Sequence, residues 1–387
     1  MQLRQASEYQ RKGIAFLTSF FKHMPNRIKF AKSDQYDFYS TLTKRVDEYF
    51  VSKKISKYAN RVMIFKTFFF LITPVTAYLL LMLHDNPFVI QLALWTVTGF
   101  FTAFIGLNIS HDAIHGSLSR RKKVNKFLSY TFNLIGANAY LWGIMHNIIH
   151  HTYTNIDGHD EDIESVPLLR MSPHKKLMRI HRYQYLYAFI FYGLGSLSWV
   201  FVKDYVKFFK KKIGNYENKK HPRIEYFKLF FFKIFYYTAF FVLPFLLMHA
   251  PWWHIVTGVL VMHFFEGLTI AIIFMLAHEV EETHFPLPDE KGNMANSWAI
   301  HQLYTTADFG RGNRILSFLC GGLNFQVEHH LFPRICHVHY KHLSAIVEKT
   351  AEEYNLRYNA NHSFRGAIMS HIRFLKKLGK KETAILA

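Results

Sequence analysis

Two long intervals of this chain, residues 67–119 and 234–290, hold no lysine or arginine. The first takes in nearly all of the apolar stretch 64–83 (IFKTFFFLITPVTAYLLLML), from residue 67 on, and the whole of 88–110 (FVIQLALWTVTGFFTAFIGLNIS), joined by HDNP. The second takes in most of 230–249, from residue 234 on, and the whole of 255–277, joined across APWWH (250–254). A bilayer core takes ~20 residues of helix, so each stretch is long enough to cross, and such short connections allow only hairpins. The basic charge therefore lies at one end of two hairpins, and the positive-inside rule makes that end cytoplasmic, with both termini. The expected fold is an all-α integral membrane protein: four transmembrane helices in two hairpins beneath a cytosolic helical cap.

Composition agrees. Half of the 387 residues are hydrophobic, with 39 Phe and 22 Tyr, more aromatic surface than a soluble protein needs. The net charge of +20 admits nucleic acid, anionic lipid or phosphorylated substrates as partners. Because the basic residues flank spans, they read as anchors against membrane lipids. No basic aromatic motif outside the membrane region supports a nucleic-acid partner. Two cysteines, Cys320 and Cys336, are too few for a disulfide framework and fit a reducing compartment. The first twenty residues lack the long apolar core of a removed signal peptide.

Two further apolar stretches are harder to place. Residues 128–144 carry two Asn and two Gly and make a poor span. Residues 184–202 are long enough, but Tyr185, Tyr187, Tyr192 and Trp199 suit the headgroup level, so both stretches are expected in or under the interface. The chain then divides into a cytoplasmic segment 1–60, a membrane and cap domain 61–345 and a cytoplasmic segment 346–387. The first ~55 residues carry no interpretable motif.

Four histidine groups stand out among 24. SHDAIHGS holds His111 and His115 one helical turn apart, on one face. HNIIHH holds His146 and His150 on a shared face, with His151 ~100° around an α-helix. NFQVEHHLFP holds Gln326, His329 and His330, and His278 stands alone after the fourth stretch. A lone HxxxH is as often two surface histidines as a ligand pair. The topology changes that balance, because four crossings put all four groups on one side. If 184–202 crossed alone, residues 326–330 would face away from 111–115. Eight histidines exceed what one ion uses, and two metals fit the count. Imidazole-rich ligation suits Fe, Zn, Cu or Ni. Asp112, Glu279, Glu281, Glu282 and Glu328 are carboxylates placed to orient imidazole N–H groups. His263 and Glu266, inside the fourth stretch, are placed to satisfy each other. His284, His301, His337, His339 and His342 are expected to be structural or supporting.

HDAIH, HNIIHH and QVEHH resemble the three histidine boxes of membrane fatty-acid desaturases, as does their placement after two hairpins. The run HHTYTNIDGHDED (150–162) is similar to the continuation of the second box in acyl-lipid and acyl-CoA desaturases. Gln326 at the first position of the third box resembles the front-end, delta-5/delta-6 branch. The resemblance covers roughly residues 60–345. It implies two non-haem irons, with O2 as co-substrate, held by His111, His115, His146, His150, His151, His278, His329 and His330. Gln326 takes the ninth position, where an amide is a poorer ligand than imidazole. Asp112, Glu282 and Glu328 are the carboxylates singled out to support those ligands. Relatives can place a water-bridging Asn one turn before the His278 position, where this chain has Phe274.

The implied reaction is introduction of a cis double bond into an acyl-CoA or acyl-lipid chain. No His-Pro-Gly-Gly haem motif occurs in the chain, so a separate ferredoxin or cytochrome b5 is the expected electron donor, docked on basic surface. A bacterial inner membrane is the expected location in preference to the endoplasmic reticulum. The alternatives are a fatty-acid hydroxylase, ketolase or alkane monooxygenase on the same scaffold and, more remotely, a metal transporter. The transporter fits poorly, because transport sites lie near mid-membrane and these histidines lie at helix ends.

Overall fold

The structure, a computed structural model, describes residues 28–32, 36–164, 166–218 and 220–380. The expectations about the first twenty residues and about both termini lie outside the described residues. The chain is mostly helical. Its first hairpin is α2 (Arg61–Leu83) and α3 (Phe88–Ile105), preceded by α1 (Tyr36–Lys53). α4 (Lys122–Leu134) and α5 (Gln184–Ser198) lead to the second hairpin, α6 (Arg223–Tyr237, continued to Leu247) and α7 (Trp252–His278). Later helices of the cap include α8 (Trp298–Thr305), α9 (Gln326–Leu331), α10 (Tyr340–Glu353) and α11 (Phe364–Leu378).

α2 begins where the Asn60 side chain accepts the Met63 N–H at 3.1 Å, satisfying one of the free donors of the first turn. Its turn into α3 is closed by Asn86, whose amide donates to the Leu80 carbonyl at 2.9 Å. The two hairpin turns sit side by side: Phe88 meets Trp253 edge-on at 5.0 Å, and His249 Nδ1 lies 3.3 Å from Asp85. The opposite ends of both hairpins therefore share one side, where His111 and His278 emerge. Lipid offers little hydrophobic drive between helices, so close backbone approach does that work. A Cβ on Gly258 would lie 2.1 Å from the Trp95 ring, and one on Gly99 2.3 Å from the Met262 carbonyl. α5 packs on α7 in the same manner, since a Cβ on Gly267 would stand 2.7 Å from the Gly193 carbonyl.

Among the described residues, five helical segments, one more than the four spans expected, are long and apolar enough to cross a membrane. The additional one, Arg179–Phe209, contains the stretch 184–202 that sequence alone places in the interface. Two of its tyrosines make contacts within the protein: Tyr187 OH donates to the Leu168 carbonyl (2.8 Å), and Tyr192 OH meets His371 Nε2 (2.9 Å). At its start, the Gln184 amide donates to the Leu375 carbonyl at 2.9 Å, tying it to α11 beside the His278 end of α7. At its finish, His221 Nε2 donates to the Phe208 carbonyl at 2.8 Å, two residues before α6 begins. Residues 128–144 form no span: α4 stops at Leu134, and Gly136 at φ +91° turns the chain.

The cap has its own core. Phe38, Leu42, Val46 and Phe50 of α1 are buried against Val327 and Leu331 of α9 and Leu343, Val347 and Ala351 of α10. Burying each large side chain of α1 contributes roughly 1.5–3 kcal/mol. α10 runs through residue 345, and Ala360–Asn361 pairs in parallel with Asp308–Phe309. The segment after 345 is thus built into the cap.

Candidate metal centre

Two π-helical turns aim the first two histidine groups. In the turn Gly106–Ser110, the His111 N–H bonds the Gly106 carbonyl, five residues back. The Asn108 amide fills the widened turn, donating to the Phe104 and Leu319 carbonyls at 2.9 and 2.7 Å. Gly116 at φ +75° ends the helix immediately after His115. In the turn Ile144–His150, the His151 N–H bonds the His146 carbonyl, again five back. This corrects the α-helical reading of HNIIHH. Residues five apart become neighbours in a π-turn, so His146 and His151 bring their Nε2 atoms to 3.2 Å. His150 turns instead toward His278 and His330, with ring centroids 4.7 and 5.0 Å away.

All eight histidines meet, and all are buried. Ring nitrogens of His111, His115, His146 and His329 lie within 4.8 Å of one another. Those of His150, His278 and His330 form a second group, and His151 joins the two through His329 and His330. His111 Nε2 faces His329 Nε2 at 3.2 Å, and the Gln326 amide faces His278 Nε2 at 2.9 Å. The outward nitrogens of five histidines are held, whereas Nδ1 of His146 and of His151 is buried without a hydrogen-bond partner. His150 Nδ1 meets Asp160 at 3.0 Å, His278 Nδ1 the Thr305 carbonyl at 3.2 Å, and His329 Nδ1 the Tyr340 hydroxyl at 3.2 Å. His330 Nδ1 donates to Gln302 Oε1 at 2.8 Å, and His111 Nδ1 lies 3.3 Å from Asp112 Oδ1. Inside, His115 Nε2, His150 Nε2, His330 Nε2 and Gln326 Oε1 are buried with no hydrogen-bond partner.

Buried polar atoms left unpaired are costly. Here several converge on one space, and at His150 and His330 the opposite nitrogen is held by an acceptor, so the lone pair of Nε2 points inward. Two imidazoles bound to one ion at about 2.0–2.1 Å would stand about 3.0–3.4 Å apart, which the observed 3.2 Å contacts match. The donor set fits a pair of metal ions. Protonation agrees: burial, then the surrounding imidazoles, hold His151, His329 and His330 well below the usual histidine range. They are neutral, as ligands must be. His150 is the exception; burial would lower it, but Asp160 and Asp162 lift it to about 9. Those carboxylates favour positive charge at this ring, whether carried by a proton or by a metal.

The supporting carboxylates divide. Asp112 reaches the cage through His111, whereas Glu282 accepts from Ser370 (2.8 Å) and Asn361 (3.2 Å), away from it. Glu328 accepts from Tyr358 OH at 2.9 Å; burial first, then Asp308, raise its carboxyl well above the usual range. Glu279 and Glu281 also hold no cage nitrogen among the described residues: Glu281 pairs with Arg373 and Lys377. The sequence reading passed over Asp160, Gln302 and Tyr340. Asp160 lies in the quoted run after the second box; the other two carry no local signal. His301 supports the second box by donating to the Thr154 carbonyl at 2.9 Å. His263 and Glu266 stand 3.6 Å apart and are joined by Ser196, whose hydroxyl is 2.9 Å from the one and 2.6 Å from the other.

A cavity of about 320 Å³ abuts the cage. Trp142, stacked on His146 at 4.2 Å, and Phe274, edge-on to His146 at 5.9 Å, form its wall. It extends between α5 and α7 past Ile270 and Ala271 to Ser196 and Glu266.

Apolar helices long enough to cross a membrane, ending in a buried histidine cluster able to hold metal, define a class of membrane protein. The fatty acid desaturase family matches residues 87–362. The chain is 34% identical over 353 residues to an sn-1 linoleoyl-lipid 6-desaturase of Arthrospira platensis, covering 91% of this chain and 95% of that one. Its counterpart of the same name from Synechocystis sp. is 34% identical over 356 residues, 92% and 98% of the two chains. An acyl-lipid (8-3)-desaturase of Physcomitrium patens is 33% identical over 92% of this chain and 74% of its own. The chain belongs to the fatty acid desaturase family, oxidoreductases that act on fatty acyl chains.

Proposed function

We propose that the chain is a di-iron, O2-dependent front-end desaturase that places a cis double bond, of delta-5 or delta-6 type, in the acyl chain of a membrane lipid. The observation that carries this reading is the cavity whose wall, Trp142 and Phe274, rests on His146. One iron would lie among His111, His115, His146 and His329, the other among His150, His278 and His330, with Gln326 beside it and His151 between. Bound there, the iron pair would supply the oxidising power for a reaction in which two hydrogens leave adjacent carbons and O2, two electrons and two protons complete two waters. The chain's own task is positioning. Trp142 and Phe274 hold the acyl segment against the cage, and the apolar wall excludes water. Acyl-lipid is preferred to acyl-CoA because the cyanobacterial and moss relatives are lipid desaturases, and Gln326 supports the front-end branch.

Four crossings, with the cage on the cytoplasmic side of a bacterial inner membrane, remain our topology. Support comes from Arg179–Phe209, both of whose ends pack at the His278 end of the second hairpin. We assign the catalytic domain to the membrane helices and the cap, to which α1 and the segment after residue 345 also contribute. Electrons would come from a ferredoxin or cytochrome b5.

The test is a fatty-acid profile with double-bond positions, from a host supplying such a donor, beside His150→Ala. A new unsaturated acid absent from the variant is expected. A hydroxylated product carrying labelled oxygen would overturn the reading.

A further inference from the structure

Lys66 lies in α2 and is buried, with 2% of its surface exposed. The rings of Phe70 and Phe318 flank its ammonium at 6.0 and 5.1 Å. Among the described residues no carboxylate forms an ion pair with it. Its hydrogen-bond partner is an imidazole, His337 Nε2, at 2.7 Å. Burying an ammonium away from a counter-charge is expensive, and neither the boxes nor the cavity accounts for it.

The contacts beyond His337 do. His337 Nδ1 lies 2.9 Å from Asp112 Oδ2, and its backbone N–H donates to the same oxygen at 3.1 Å. Asp112 Oδ1 lies 3.3 Å from His111 Nδ1, and His111 Nε2 faces the cage. An ammonium only donates. His337 Nε2 must then accept, which leaves the ring's proton on Nδ1, directed at Asp112. With Lys66 as its counter-charge Asp112 stays a carboxylate, an acceptor on both oxygens, and His111 must carry its proton on Nδ1. The lone pair of His111 Nε2 is thereby turned into the cage. A residue with one possible hydrogen-bond polarity sets the polarity of every link after it.

We propose that Lys66 is a positioning residue of the metal centre, acting through His337 and Asp112 to fix the ligand tautomer of His111. The inference rests on the reading of His111 as a metal ligand. It predicts that the effect is confined to the half of the cage containing His111.

The test uses the full chain purified with 57Fe, comparing wild type, Lys66→Met, Lys66→Arg, His337→Phe, the Lys66→Met/His337→Phe double variant and His111→Ala. Readouts are iron per chain, iron affinity, the Mössbauer spectrum and the melting temperature. Lys66→Met should weaken iron at one subsite by about 10–100-fold, the range for lost support behind a ligand, and alter one spectral component while leaving the other. Lys66→Arg, donor-only and cationic, should restore that component. His337→Phe cuts the same relay in its middle, gives an independent reading if Lys66→Met does not fold, and should alter the same component. The double variant should be no worse than either single change. Wild-type affinity and spectrum in both single variants, or additive losses in the double, would overturn the proposal. Undiminished iron in His111→Ala would instead sink the ligand assignment on which it stands.

Discussion

The two halves of the cage are oriented by different means. The His111 half hangs on a buried chain of groups reaching back into the first membrane helix, Asp112, His337 and Lys66. The His150 half hangs on a loop: Asp160 holds His150 Nδ1 at 3.0 Å and is itself fixed by the backbone N–H groups of Asn155 (2.8 Å) and Asp162 (2.9 Å). In the first half, a positive charge behind the carboxylate balances it. In the second, Asp160 and Asp162 stand together without that counterweight at the ring, which is why His150 is raised to about 9 while its neighbours are depressed. Identical imidazoles therefore sit in unlike fields, and the half with the greater negative charge also carries Gln326, a neutral amide.

The sharpest way to break this comparison is at the residue shared by the groupings. His329 belongs with His111, His115 and His146 and also with His151 and His330. His329→Ala should abolish the desaturated product and lower iron per chain, both read on one preparation. Retained iron would mean that the halves are independent. Next in size, Asp160→Asn keeps the shape but loses the charge, and should reduce turnover about 10–100-fold. Asp112→Asn on the other half should change a different Mössbauer component. If both variants alter the same component, the division into halves is wrong. The smallest effect is expected for Tyr340→Phe, which removes one hydroxyl 3.2 Å from His329 Nδ1. One hydrogen bond contributes about 0.5–1.5 kcal/mol, so only a several-fold drop in iron affinity should result, with an unchanged product profile by gas chromatography.

How much could be read in advance depends on the range of the signals. Hydropathy and charge asymmetry are local and strong, so the two hairpins and the side holding the histidines were legible. The histidine groups were legible as groups because their spacing is local too. Their inner geometry was not: a π-turn inserts one residue per turn without changing composition, so HNIIHH read as α-helix misassigned the partner of His146. Phe38, Leu42, Val46 and Phe50 repeat every four residues, an α1 signal present in the sequence and passed over. The apolar length of Arg179–Phe209 and its anchor-like tyrosines point in different directions, and two of the tyrosine hydroxyls serve contacts that exist only in the folded chain. Gln302, Tyr340 and Lys66 lie 28, 11 and 271 residues from the side chains they hold. No pattern within one segment could join them.

The side-by-side hairpin turns have a consequence for how such a protein can change. At that end of the bundle the two hairpins offer little beyond His84–Pro87 and the few residues around Pro251. A lineage that adds a regulator, a fused carrier or a degradation signal finds almost no foothold there. Innovation is channelled to the opposite end, where α1, α10 and α11 already crowd the cage, so any new attachment is made within reach of the chemistry.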